Sequence, residues 1–335
     1  MTADRKSWLA RSDGTVVIGH GPFIPKPKPP SEGVAFYKRD FFSREELPWH
    51  VPARYEVMSA AKFRETLGGD LQLDVVWEVP DAMPFSCVFQ EVMIRIRQGM
   101  IEKTVPVVTE RGNVSHSPAA AIIAAMARQK APLHSYGWVS DADGFAGATP
   151  ELLFSLDGHR LETMALAGTA RLEDEDVFAV DEKEIREHEY VAQTLVSKVL
   201  DLGTLHRRER EVLRLGSIVH FHTGFTVDLV DPQDTDSLLR RLHPTPALGP
   251  LPRTDQTMAA LADWRSQLDC PAEFGAPFGV CENGRFEAVV AIRGLWWQGN
   301  KIALPAGCGI IEASRLVNEW REIRLKCDAV KRFLI

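Results

Sequence analysis

The stretch LPAGCGIIEASRLVNEWREIRLKCDAVKRFL, residues 304 to 334, joins two kinds of local chemistry. Ala306, Gly307, Cys308 and Gly309 are small residues, of the type that lets a backbone approach a bound group closely. The residues after them read as a helix with Glu319 and Glu322 one turn apart and Lys326 one turn further on. Side chains three and four apart share a helix face. Two carboxylates and an ammonium therefore project together beside a loop rich in backbone N–H groups. That combination suits an anionic ligand held partly by protein and partly through a metal ion. The plainer reading is a solvated charged helix.

A second acidic constellation changes that balance. DEKEIREHEYVAQTLVSKVLDLG, residues 181 to 203, reads as a long amphipathic helix with Ile185, Val191, Leu195 and Val199 on its apolar stripe. Glu184 and Glu187 are again three apart, and His188 adjoins them. Acidic residues in a first helical turn also suit the helix dipole, which is the structural alternative.

Composition bounds the rest. The chain has 335 residues, a length that suits two domains or one large α/β unit. A formal net charge of −7 gives no general affinity for nucleic acid or an anionic membrane surface. Five scattered cysteines with no C-x-x-C pair argue against a disulfide framework or a zinc site. Reduced thiols fit a cytoplasmic enzyme. No signal peptide or membrane span is expected, because no apolar run reaches the ~18 residues such a span needs.

Along the chain, PFIPKPKPP at 22 to 30 must run extended. FSCVFQEVMIRIRQ, 85 to 98, is apolar at helical spacing and stops at Gly99. MIEKTVPVV turns to a strand pattern with Lys103 at its start, where burial of a lysine is uncommon. Residues 117 to 130 read as a helix capped by Ser117 with proline at its first position. Residues 136 to 172 read as strands turning at Asp143-Gly144 and Asp157-Gly158. In that series Glu151 opens a strand, and Gly168 and Thr169 close one. His220 and His222 lie in a further strand region, and LHPTPALGPLPR is a rigid loop. Arg293 falls mid-strand in VVAIRGL, where an arginine calls for an anionic partner.

These pieces in this order resemble one family. IRQGMIEKTVPV, GATPELL, LAGTA, KEIREHEYV, SIVHFHT, LHPTPALG, FGAPFGV, AIRGL, AGCGI and EWREIRLK are similar to segments of the chorismate-binding enzymes, from about residue 85 to 333. The resemblance implies an α/β fold of the α+β type: a large two-sheet sandwich with helices outside. Residues 71–335 would form the catalytic domain and 1–70 a short N-terminal part on the same sandwich. It implies chorismate as substrate and Mg²⁺ as cofactor. Lys103 falls at the general-base position, Glu151 at the general acid that protonates the departing C4 hydroxyl, and His220 near the reacting ring carbons. Glu187, Glu319 and Glu322 match the metal carboxylates, with Glu184 an outer partner. Arg293, Lys326 and the N–H groups around Gly307 and Gly309 match the carboxylate clamp. Gly168 and Thr169 line the ring pocket, and Ala247 and Phe274 also fall at substrate positions.

Within the family, three positions discriminate. Lys103 resembles the water-using members, whereas ammonia users carry glutamine there. Ala167 before Gly168-Thr169 lacks the nucleophilic lysine of aminodeoxychorismate synthases. Ala247 stands where salicylate synthases commonly have threonine. Isochorismate synthase is therefore the expected activity, serving menaquinone or siderophore synthesis. Salicylate synthase and an ammonia-using anthranilate or aminodeoxychorismate type are the alternatives. No amidotransferase subunit is expected, and a monomer or dimer is. Three departures from the family pattern stand out: Pro106 and the missing arginine after Lys103, Phe274 in place of a tyrosine, and Cys308 in place of an alanine.

Overall fold

The computed structural model describes residues 5–42, 45–67, 72–140 and 142–334. The expected boundary near residue 70 falls at 68–71, outside the described residues.

Among those residues, seventeen strands join one antiparallel network. Their registers set the order across it. Val76–Trp77 is followed by Val107–Asn113, Lys301–Gly307, Gly294–Gln298, Asp143–Thr149 and His134–Ser140. Lys6–Ala10 and the long strand Thr15–Lys26 come next, then Trp49–Ser59, Val34–Lys38 and Pro277–Glu282. Arg285–Val290, Leu152–Asp157, Arg160–Arg171 and Ile218–Leu229 complete the run. Gly203–Arg207 and Glu211–Leu215 share the far edge of the last strand. Residues before 70 thus supply the middle of the ribbon.

The ribbon folds so that its halves face each other, because each carries an apolar face that must leave water. Phe278 from one half meets Tyr136 and Phe145 from the other, with ring centroids 5.6 and 5.7 Å away. The expected two-sheet sandwich is therefore present, with its sheets hydrogen-bonded into one strip. Helix Ala119–Ala127 packs on strands His134–Ser140 and Asp143–Thr149, and helix Glu182–Val199 packs on Arg160–Arg171. No described helix is long and apolar enough to cross a membrane.

Several local expectations change. Pro118 rather than Ser117 occupies the N-cap of Ala119–Ala127, with no side-chain cap. Asp143 and Gly144 begin a strand, so the turn lies before them. Gly168 and Thr169 do not close their strand. It runs on to Arg171 through an irregularity in register between Ala167 and Ala170, with Gly168 at φ +77°. That left-handed conformation favours glycine. Arg293 is not mid-strand either: it stands in the break between Val290 and Gly294 at φ 56°. Lys103 makes only an isolated bridge to Leu251, and the regular strand begins after Pro106, at Val107. Proline removes the ladder donor there.

The helix Leu316–Lys331 packs on Lys301–Gly307 and is anchored at its rear. Glu110, 5% exposed on strand Val107–Asn113, takes a bond from Lys331 Nζ at 2.6 Å and a second from Arg324. Removing one partner of a buried ion pair costs roughly 3–5 kcal/mol. The two cations here are partly exposed, which screens the interaction. Glu110→Ala should therefore lower the unfolding free energy by about 2 kcal/mol, read by urea titration. A loss below about 0.5 kcal/mol would place the anchor elsewhere.

Candidate active site

A cavity of about 70 Å³ lies against the inner end of helix Leu316–Lys331. Its walls bring together Glu151, Gly168, Thr169, Glu187, His220, Ala247, Phe274, Arg293, Gly307, Gly309 and Lys326, with Leu166, Ile292 and Val330 among the apolar lining.

Glu151 immediately precedes strand Leu152–Asp157 and is 3% exposed. Thr245, from the HPTPAL loop, donates its hydroxyl to Glu151 Oε1 at 3.2 Å. Burial pushes the Glu151 carboxyl up to about 7, against the Thr245 bond and the charges of Lys103, Lys326 and Arg293. A carboxyl so placed holds a proton near neutral pH.

His220 holds Arg293. Arg293 Nη2 lies 2.7 Å from His220 Nε2, and His220 Nδ1 lies 2.7 Å from the Gly168 carbonyl oxygen and 3.1 Å from Thr169 Oγ1. A guanidinium can only donate. Nε2 is therefore the acceptor, and Nδ1–H donates to Gly168. Burial, with Arg293 and Lys326 nearby, holds His220 well below the ordinary histidine range, so the ring is neutral. The geometry makes His220 a positioning group for Arg293. Burial lowers Arg293 to about 10, still charged at neutral pH.

Beside this cavity lies the acidic cluster. Asp181 caps helix Glu182–Val199 by accepting the Glu184 N–H at 3.0 Å, which fixes the first turn. Glu184 Oε2 accepts the Thr169 N–H at 2.9 Å. Lys103, fully buried, places Nζ 3.2 Å from Glu187 Oε1. Lys183 Nζ lies 2.8 Å from Glu184, 3.4 Å from Glu187 and 3.4 Å from Glu319. Lys326 Nζ donates to Glu322 Oε1 at 2.6 Å and to the Gly307 carbonyl at 2.8 Å. Burial and the neighbouring carboxylates raise Glu184 and Glu319 above the usual carboxylate range. Burial acts the same way on Glu187, but Lys103, Lys183 and Lys326 outweigh it and hold that carboxyl low.

The donor set fits a hard divalent cation. Both oxygens of Glu319 are buried without a hydrogen-bond partner. Mg²⁺ takes carboxylate oxygens and water. As the side chains stand, no group of three or more acidic, histidine or cysteine residues among those described is arranged to hold an ion, and the Lys183 ammonium sits among the glutamates.

Of the residues singled out from the sequence, Lys103, Glu184, Glu319 and Glu322 do not line the small cavity. Lys103 stands behind Glu187, and the three glutamates line an adjoining cavity of about 640 Å³ with Lys183 and Thr169. Gly309 has an unexpected reason to be glycine. A Cβ there would overlap the Glu187 carboxylate and sit 2.9 Å from Lys103 Cε. Cys308 is fully buried and takes no part in the cavity wall. Sequence reading missed Lys183 and Thr245. The first was visible as a lysine four residues before Glu187; the second had no signal beyond its loop.

Comparison with known proteins bears on what this arrangement does. A family model described as "Chorismate binding enzyme" matches residues 72–335. Isochorismate synthase EntC of Escherichia coli K12 is 31% identical over 205 residues, 57% of this chain and 51% of that protein. The salicylate biosynthesis isochorismate synthase of Pseudomonas aeruginosa is 31% identical over 207 residues, 57% of this chain and 42% of that protein. The chain thus spans about half the length of the curated relatives it matches. A crystal structure of a putative 2,3-dihydroxybenzoate-specific isochorismate synthase, DhbC from Bacillus anthracis, superposes with a TM-score of 0.83 at 20% identity. That match covers 98% of this chain and 96% of that one, and it shows a shared fold.

The Glu151 environment predicts a pH signature of stability. Its folded value, about 7, exceeds the ordinary 4.5. Its contribution is fully present below pH 4.5 and is lost as pH rises through 7. Glu151→Gln should gain on the parent protein by up to about 3 kcal/mol between pH 5 and 8. Urea unfolding at both pH values measures this, and a gap that stays constant refutes the assigned environment.

Proposed function

The chain belongs to the chorismate binding enzyme family, and from that premise we propose that it is a Mg²⁺-dependent isochorismate synthase. Such an enzyme adds water at C2 of chorismate with loss of the C4 hydroxyl. The observation that carries this reading is a buried, proton-holding Glu151 in one cavity with Arg293 and Lys326.

Chorismate is a dicarboxylate, and its charges need cations in a dry pocket. Arg293, locked by His220, offers a planar donor pair, and Lys326 offers an ammonium once it leaves Glu322. Gly307 and Gly309 let a substrate carboxylate approach the backbone. Glu151 gives its proton to the departing hydroxyl, which leaves as water, and Thr245 steadies the carboxylate that remains. Lys103 takes the proton of the attacking water only as the neutral amine, after its ammonium has given up a proton and Glu187 has moved from between it and the cavity, so that one acid and one base act on one substrate. Glu187, Glu319 and Glu322, with Glu184 as an outer partner, would hold Mg²⁺, which would offset the charge of a substrate carboxylate. Lys103 in place of a neutral glutamine favours water over ammonia as nucleophile.

Incubation with chorismate and Mg²⁺, followed by chromatographic separation, should yield isochorismate. Unchanged chorismate at every pH refutes the reading; salicylate with pyruvate shows a further elimination step. Lys103→Gln and Glu151→Gln should each lower kcat by about 10²–10⁴-fold. In the parent protein kcat should fall above pH 7, as Glu151 loses its proton.

A further inference from the structure

We propose that Lys183 is a built-in counter-ion of the acidic cluster, which a divalent cation must displace, so that this lysine sets the affinity of the site for that cation. The inference rests on the reading above, in which these glutamates hold Mg²⁺.

Three ion pairs carry it. Lys183 Nζ lies 2.8 Å from Glu184 Oε1, 3.4 Å from Glu187 Oε2 and 3.4 Å from Glu319 Oε1. Glu319 belongs to helix Leu316–Lys331 and the other two to helix Glu182–Val199, so one ammonium bridges two helices. The oxygens it touches are those a hard cation needs. Its distances to Glu187 and Glu319 exceed the ~2.7–2.9 Å of a close charged hydrogen bond. Glu319 is left with neither oxygen properly satisfied. Lys183 therefore offsets the repulsion among the carboxylates without saturating them.

An ammonium and a divalent ion within a few ångströms repel each other, and both compete for the same oxygens. Lys183 has room to yield. Its side chain is 21% exposed and borders the cavity of about 640 Å³, where Asp174 and Asp181 offer alternative acceptors. Its stem springs from the first helical turn, fixed by the Asp181 cap, so the ammonium swings while the glutamates stay. Metal-free protein then keeps its acidic helices together, and the same contact weakens cation binding.

Calorimetric titration of the full chain with Mg²⁺, without substrate, tests this on the parent protein, Lys183→Met, Lys183→Gln and Glu319→Gln. Melting temperatures are recorded with and without Mg²⁺. Both neutral Lys183 variants should bind Mg²⁺ on the order of tenfold more tightly. Without metal they should melt below the parent, and Mg²⁺ should raise their melting temperature by more. Binding lost in Glu319→Gln but unchanged or weaker in folded Lys183 variants overturns this inference alone. No Mg²⁺ binding by any variant, the parent included, overturns the metal reading and the inference with it. Should Lys183→Met fail to fold, Lys183→Gln, which can still hydrogen-bond the carboxylates, decides the matter.

Discussion

The site depends on charge balance among buried and part-buried side chains. Glu184, Glu187, Glu319 and Glu322 come from two helices and meet Lys103, Lys183 and Lys326. Each carboxylate alone would be costly to bury, and so would each ammonium. Placed together they permit one another, and the backbone is arranged to let them meet. The glycine at 309 leaves room for the Glu187–Lys103 contact, and the bulge at Gly168-Thr169 turns an N–H onto Glu184. The Glu110 anchor, with Arg324 and Lys331, is a second balanced set that holds the helix from behind.

Arg293 shows the same economy applied to a ligand. Its left-handed backbone breaks the meander where the ribbon passes the cavity. His220, kept neutral by burial and by its cationic neighbours, can accept from the guanidinium and donate to a carbonyl at once. A protonated histidine could do only the second. The arginine is thus aimed without being neutralised and remains available to an anion.

Much of this was legible in the chain. The helical spacing of Glu319, Glu322 and Lys326 and of Glu184 and Glu187 is a local property, and the helices form where the pattern predicts. The convergence of these helices with Glu151 and Arg293 came only from resemblance, because no local signal reports which distant segments meet. The misplaced features share a cause. Hydrophobic alternation ends a strand at Gly168-Thr169 and puts Arg293 mid-strand, because it cannot see a bulge or a positive-φ break imposed by the neighbouring strand. Lys183 was overlooked because a lysine in a charged first turn reads as solvated surface, and only the approach of a second helix encloses it.

The order of strands in the ribbon has a kinetic side. Lys6–Ala10 pairs with His134–Ser140, and Val34–Lys38 waits for Pro277–Glu282. During synthesis the early strands must therefore stay unpaired along one edge until partners far down the chain emerge. Such distant pairings slow folding and leave edges open to other chains. The cavity itself has no walls until Gly307 and Lys326 arrive. A nascent or truncated chain thus exposes open strand edges before the cavity is complete, which makes it an aggregation hazard.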